Sequence, residues 1–263
     1  MELASGKLVR DEPADGVVRL RIANPERRGA LDHEILDTLA ETVAGLDARC
    51  LMLTGSGGIF SAGYDLGNLE GREFEENAEK LVAHPFHDAI EALEAFPYPV
   101  VAQINGHAIG GGLELALTCD IRIAASGIRV GMPPAKLGLI YSHTGLRKFV
   151  DVCGPANTAE LFYVGRNVDA ERGRSMGLLN QVVDPAELDA TAVSLAGEIA
   201  ANAPISLAGN KRILREIRAH AAALPADVER ELVELRESCF RSEDFREGVR
   251  AFAEKRPPVW QGR

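Results

Sequence analysis

The sequence predicts an α/β layered fold with a helical C-terminal part, and three observations carry that prediction. Short apolar strand-like runs alternate with helix-period segments through most of the chain; glycine-rich turns separate them; and beyond Ala192 helical patterning takes over, with dense charge on one face. At 263 residues and 46% hydrophobic content, the chain can bury one large core plus a small appendage.

The elements follow in order. Val18, Leu20 and Ile22 alternate with Arg19 and Arg21, the period of a half-buried strand, which Asn24-Pro25 ends. A helix capped by Asp32 is expected next, because Ile35, Leu36, Leu39, Val43 and Leu46 recur at helical spacing. Residues 50–53 read as a buried strand entering the turn Thr54-Gly55-Ser56-Gly57-Gly58. Residues 74–96 are helical in pattern, with Pro85 expected to break or kink them. A short buried strand at 99–104 ends at Asn105-Gly106 and leads through Gly110-Gly111-Gly112 into an apolar helix at 113–118, followed by a strand at 121–124. In the C-terminal part, turns fall at Asn202-Ala203-Pro204 and Leu224-Pro225. Its charges (Glu229, Arg230, Glu231, Glu234, Arg236, Glu237) share a helix with Val228, Leu232, Leu235 and Phe240, which need a packing partner. We therefore expect a helical subdomain that also makes subunit contacts.

Composition removes several classes of function. No apolar run approaches the roughly 20 residues that span a bilayer, and the first residues, Met1-Glu2-Leu3-Ala4-Ser5-Gly6-Lys7, lack the apolar core of a signal peptide. A cytoplasmic protein without membrane contact is expected. The net charge of −10 repels phosphate backbones and argues against nucleic-acid partners, although local basic groups can still hold an anionic ligand. Cys50, Cys119, Cys153 and Cys239 are scattered, with no C-x-x-C pair and no histidine at ligand spacing. They are expected to be reduced and structural, and no metal is expected.

Two segments can carry chemistry. In Phe60-Ser61-Ala62-Gly63-Tyr64-Asp65-Leu66, small residues around a glycine allow a ligand to approach the backbone; an ordinary tight turn would read the same way. In Asn105-Gly106-His107-Ala108-Ile109-Gly110-Gly111-Gly112-Leu113-Glu114-Leu115-Ala116, a buried strand runs into three glycines that open a helix. The first N–H groups there have no intrahelical acceptor and favour negative charge, which is what a developing oxyanion needs. The segment has neither the lysine of a phosphate loop nor a G-x-G-x-x-G pattern. Glu114 lies on an otherwise apolar turn, where burial would raise its pKa and suit it to act as a general base; the alternative is a carboxylate that serves only the helix dipole.

Together these segments resemble the crotonase superfamily, the enoyl-CoA hydratase/isomerase family. The resemblance extends to Asn24-Pro25-Glu26-Arg27-Arg28-Gly29-Ala30-Leu31, Cys119-Asp120, Gly177-Leu178, and Glu247-Gly248 through Phe252, Lys255 and Pro257. It implies a spiral of repeated ββα units: an acyl-CoA core over residues 1–195, and a helical subdomain over 196–263 for oligomerisation and CoA covering. It also implies an oxyanion hole made by the N–H groups of Tyr64 and Gly111, with the Tyr64 side chain left to shape the acyl pocket beside Ala62, Gly63, Asp65, Leu66 and Gly110. Glu26, Arg27, Arg28 and Ala30 match the loop over the CoA, with Arg27 or Arg28 pairing its phosphates, and Gly29 replaces the usual asparagine. Phe252 and Lys255 match positions that reach a neighbouring subunit's CoA. The implied partners are an acyl-CoA substrate and the chain itself, as a trimer or a pair of trimers. No cofactor is implied beyond the coenzyme A thioester.

One departure matters. The family's hydratases use two glutamates; the first matches Glu114, but where Pro-Glu is usual, in Met132-Pro133-Pro134-Ala135-Lys136-Leu137, this chain has Pro134. The segment Gly138-Leu139-Ile140-Tyr141-Ser142-His143-Thr144-Gly145 offers substitutes, and Tyr141 resembles a tyrosine of the methylmalonyl-CoA decarboxylase branch. His143 is expected to cap the following helix or face solvent, and His107 to be structural. Three readings stand: water addition to a 2-enoyl-CoA, decarboxylation of a malonyl-CoA derivative, and a non-catalytic acyl-CoA or RNA-binding member.

Overall fold

The structure, a computed structural model, describes residues 1–64, 85–221 and 224–262. Its strands are β1 (Glu2–Leu3), β2 (Leu8–Ala14), β3 (Val17–Ile22), β4 (Cys50–Gly55), β5 (Ile59–Ser61), β6 (Val100–Ile104), β7 (His107–Ile109), β8 (Ile121–Ala125), β9 (Arg129–Gly131), β10 (Val168–Asp169) and β11 (Gln181–Val183). Its helices are α1 (His33–Ala44), α2 (Pro85–Ala95), α3 (Gly111–Thr118), α4 (His143–Ala159), α5 (Ala170–Ser175), α6 (Leu188–Ala201), α7 (Pro204–Ala221), α8 (Ala226–Phe240) and α9 (Glu243–Ala253).

Two sheets form. The larger runs β1-β2-β3-β4-β6-β8-β11 and is parallel from β3 onward; the smaller runs β10-β9-β7-β5. Each turn of chain adds one strand to the large sheet, one to the small sheet, and then a helix: β6, β7 and α3 are one such turn, and β4 and β5 begin another. This is the expected spiral of ββα units. Parallel strands covered on both faces read as continuous apolar runs, and β4 and β6 are buried at every position.

Local signals set the element ends. Asp32 caps α1, its carboxylate accepting from Ile35 N at 2.9 Å, an interaction of about 1 kcal/mol. Ile35, Leu36, Leu39 and Val43 are buried from that helix, each contributing roughly 1.5–3 kcal/mol. Pro85 does not kink a longer described helix. The described part of α2 begins at Pro85, and residues 74–84, on which the expected break also bears, lie outside the described ones. The alternation in β3 misplaces Arg19, which is buried: its guanidinium bonds Asp11 and, at 2.6 Å, Asp189 of α6. α6 covers that face of the sheet, so the strand is enclosed on both sides.

α6 runs unbroken through the 195/196 division drawn from the sequence, and its Ala192, Ala196, Ile199 and Ala200 belong to the main core. Beyond it, α7 buries no residue within the chain and leaves Ile205, Ile213, Leu214 and Ile217 exposed. α9 seats on the short helical turn Pro134–Leu137, where Gly248 admits the Leu137 carbonyl so closely that a Cβ would stand 2.4 Å from it. All four cysteines are buried free thiols, and burial pushes Cys50 and Cys119 up to about 12. No described helix is long and apolar enough to cross a membrane.

Candidate active site

The two glycine segments meet at the start of α3. The Ser61 hydroxyl donates to Gly29 O at 2.7 Å and accepts from Gly63 N at 3.1 Å, while Ala62 N donates to Arg28 O and Leu31 N to Gly63 O. These bonds strap residues 28–31 along 60–64. Gly63, at φ +89°, presses on the helix start, and a Cβ there would sit 3.0 Å from Gly111 N. Gly112 is equally constrained, since its Cβ would lie 2.4 Å from Ser61 O. The residue before Tyr64 is thereby packed against the backbone of Gly111, and the Tyr64 ring lies over Gly111, 3.2–3.4 Å from where its Cβ would be. Gly111 opens α3 and has no intrahelical acceptor. Among the described residues, neither the Tyr64 nor the Gly111 N–H has a backbone acceptor in a turn, loop or cap.

One helical turn further in, Glu114 is buried, with 6% of its surface exposed. The Tyr141 hydroxyl donates to Glu114 Oε2, and the Tyr64 phenol is near enough for the Glu114 charge to act on it. Gly145, in the first turn of α4, lets the other carboxylate oxygen approach: a Cβ there would stand 2.9 Å from Glu114 Oε1. The Tyr64 ring lies edge-on to Phe86 at 4.9 Å, and the Tyr141 ring edge-on to Phe162 at 5.5 Å.

Burial raises the Glu114 carboxyl above the ordinary carboxylate range. The nearby Lys148 charge and the Tyr141 hydrogen bond work against that rise. Burial, and then the Glu114 charge, holds both tyrosines well above the ordinary phenol range. Lys148 is itself buried, held at 2.7 Å by both Glu94 and the Thr118 hydroxyl, and Thr118 donates to the Glu114 carbonyl. Lys148→Met is expected to raise the Glu114 carboxyl further, moving the acidic limb of the pH–rate profile upward. An unmoved limb would remove Lys148 from the site's electrostatics.

Tyr64, Gly111, Glu114 and Tyr141 are thus brought together. Ala62, Gly63 and Gly110 surround the same helix start, while Asp65 and Leu66 lie outside the described residues. Glu26, Arg27 and Arg28 are exposed on the loop strapped to residues 60–64, and Ala30 is buried beneath them. Pro134 is buried and Leu137 half-buried on the turn under α9, with Phe252 and Lys255 exposed at that helix's end. Ser142, not His143, caps α4, accepting from Gly145 N; His143 lies 3.3 Å from Glu229 of α8. His107 accepts from Arg129 N, a structural bond. Sequence reasoning missed Lys148 and Phe86.

An α/β spiral whose glycine-opened helix α3 carries a buried carboxylate belongs to the crotonase class of fold. A solved "Methylmalonyl-CoA decarboxylase in complex with 2-nitronate-propionyl-CoA" matches it with a TM-score of 0.88 and 26% identity, over 98% of this chain and 99% of that one. The sequence model of the Enoyl-CoA hydratase/isomerase family matches residues 12–263, and the chain belongs to that family. A "Probable enoyl-CoA hydratase" of Bacillus subtilis (strain 168) is 34% identical over 94% of this chain and 95% of its own length. A "1,2-epoxyphenylacetyl-CoA isomerase" of Escherichia coli (strain K12) is also 34% identical, over 94% and 96%.

Proposed function

We propose that this family member is an enoyl-CoA hydratase-type lyase that adds water across the double bond of a 2-enoyl-CoA. The observation that carries the reading is the placement of Glu114 one turn inside the helix opened by Gly111, whose backbone N lies against Gly63, the residue before Tyr64. In this reading the thioester oxygen accepts from Tyr64 N and Gly111 N. Glu114 takes a proton from water as the water oxygen bonds to C3. The C2=C3 electron pair moves to the thioester oxygen as an enolate, where the two donors gain most. The enolate then takes a proton at C2, and the pair of Tyr141 and Glu114 supplies it in place of the carboxylate absent at Pro134. One water is consumed and the groups return to their starting state.

The CoA moiety would lie over Glu26, Arg27, Arg28 and Ala30, with Phe252 and Lys255 approaching it from a neighbouring subunit. The exposed apolar residues of α7 support self-association, as a trimer or a pair of trimers. A chain of this composition without a described membrane-crossing helix fits a cytoplasmic enzyme. Drawn by packing, the appended helical part begins after Ala201. An RNA-binding role is disfavoured by the charge of −10.

Decarboxylation of a malonyl-CoA derivative is the second reading, favoured by Tyr141 and by likeness to the decarboxylase structure. Mass spectrometry of products from crotonyl-CoA and methylmalonyl-CoA separates the two. Gain of one water on crotonyl-CoA, with kcat lowered roughly 10²-fold in Tyr141→Phe, is expected. Loss of CO2 from methylmalonyl-CoA with no hydration would replace the first reading by the second.

A further inference from the structure

We propose that the junction of α8 and α9 positions the Tyr141 hydroxyl for Glu114 by gripping residues 138–140, with Cys239 as the central positioning residue. The inference rests on the proposed role of Tyr141 in proton handling and is the same for either named reaction.

Tyr141 belongs to no helix or strand; it lies on the connection between the turn Pro134–Leu137 and α4. A side chain so placed is aimed by whatever holds its backbone, and here α8 and α9 supply holds on both sides of it. Gly138, at φ +65°, backs onto Asp244 so closely that a Cβ would stand 2.8 Å from the Asp244 carbonyl oxygen. Leu139 packs against both the main core and the pair Phe240 and Phe245, whose rings meet edge-on at 5.2 Å. The two peptide groups flanking Leu139 turn to one sulfur: the Cys239 thiol donates to Gly138 O at 2.9 Å and accepts from Ile140 N at 3.2 Å. Beyond Tyr141, His143 Nε2 lies 3.3 Å from Glu229 of α8.

Cys239 is buried, and burial raises its thiol, so at neutral pH it keeps the proton that Gly138 O accepts. Removing the sulfur releases both peptide groups while leaving Tyr141 and Glu114 chemically intact. The phenol, one residue beyond Ile140, is then no longer fixed against Glu114, and a displacement approaching 1 Å costs up to about 10²-fold in rate. The C-terminal helices, which carry no proposed reacting group, thereby act on the proton-handling pair of their own chain.

The test reads the Tyr141 phenol and the reaction separately. The full chain is labelled with meta-fluorotyrosine, which places a fluorine resonance at Tyr64, Tyr98, Tyr141 and Tyr163, and Tyr141→Phe assigns the one that matters. In Cys239→Ala the Tyr141 resonance should leave its wild-type position while those of Tyr98 and Tyr163 stay. In Cys239→Ser, whose hydroxyl offers the same donor and acceptor, it should return. In parallel, kcat for crotonyl-CoA or methylmalonyl-CoA, whichever the wild type turns over, should fall about tenfold in Cys239→Ala with KM within about twofold. Cys239→Ser should recover most of that loss. In the Tyr141→Phe background Cys239→Ala should cost less than about twofold, because the group it positions has gone. Gly138→Ala, which pushes the same segment off Asp244 without touching the sulfur, should move the same resonance, so the proposal stays testable if Cys239→Ala folds poorly. A Tyr141 resonance unmoved in both variants, a kcat unchanged when it moves, or a Cys239→Ala loss undiminished in the Tyr141→Phe background overturns it. A wild type that turns over neither thioester removes the proposed function, and the fluorine resonance then decides the positioning alone.

Discussion

Glu114→Gln is expected to lower kcat/KM for crotonyl-CoA by about 10³-fold, within the range that loss of a positioned general base produces. The amide matches the carboxylate in size and keeps a partner for Tyr141, so the loss should come without unfolding. The sign of the stability change follows from the pKa. Burial raises the folded carboxyl above its unfolded value, so the folded state binds the proton more tightly. That contribution is greatest at acid pH and is lost as pH rises through the raised value, above which the buried charge is a liability. At pH 8 the Gln variant should therefore melt at or above the wild-type temperature. The wild-type profile of kcat/KM should rise with pH along a limb lying above the ordinary carboxylate range, and the limb should be missing from the variant. A loss smaller than tenfold would remove Glu114 from the chemistry.

Gly112→Ala should damage the protein through the backbone alone. The added Cβ would meet Ser61 O at 2.4 Å and Ser61 Cβ at 2.7 Å, neither a flexible side-chain end, so α3 and the end of β5 must part. Overpacking of this kind costs about 1–3 kcal/mol. Because the same contact sets the spacing of Gly63 against Gly111, a shift approaching 1 Å should lower kcat roughly 10²-fold. Gly197→Ala in α6, where nothing lies within 4 Å, is the control and should stabilise the chain by about 0.5–1 kcal/mol. Thermal melts with steady-state kinetics decide the matter: full kcat in Gly112→Ala would show that the contact relaxes harmlessly.

What the sequence made legible is what is local. The Asp32 cap, the apolar face of α1 and the strand before Gly110-Gly111-Gly112 are all set by residues within a few positions of one another, and the structure has them where the pattern put them, save that α1 ends at Ala44, short of Leu46. The burial of Arg19 was illegible because its partner Asp189 lies 170 residues away, and alternation in a single strand carries no information about what covers its far face. In the candidate site, Glu114 stood out by chemistry, as a carboxylate on an apolar turn. Its bond to Tyr141, 27 residues on, depends on how α4 docks. Lys148 and Gly145 gave no pattern of their own, because their importance is purely a matter of distance to Glu114.

Both proposed anion donors are main-chain groups held in place by turns of the spiral, whereas the proposed proton handling rests on the side chains of Glu114 and Tyr141. Point mutation can exchange the second set freely but cannot delete an N–H except by introducing proline. The scaffold is therefore asymmetric in what it can inherit and what it can change. On the proposed reading, activation of the thioester passes on with the topology, while the reaction that follows is open to substitution at a handful of positions, one of which is Pro134, where the family resemblance implies a carboxylate.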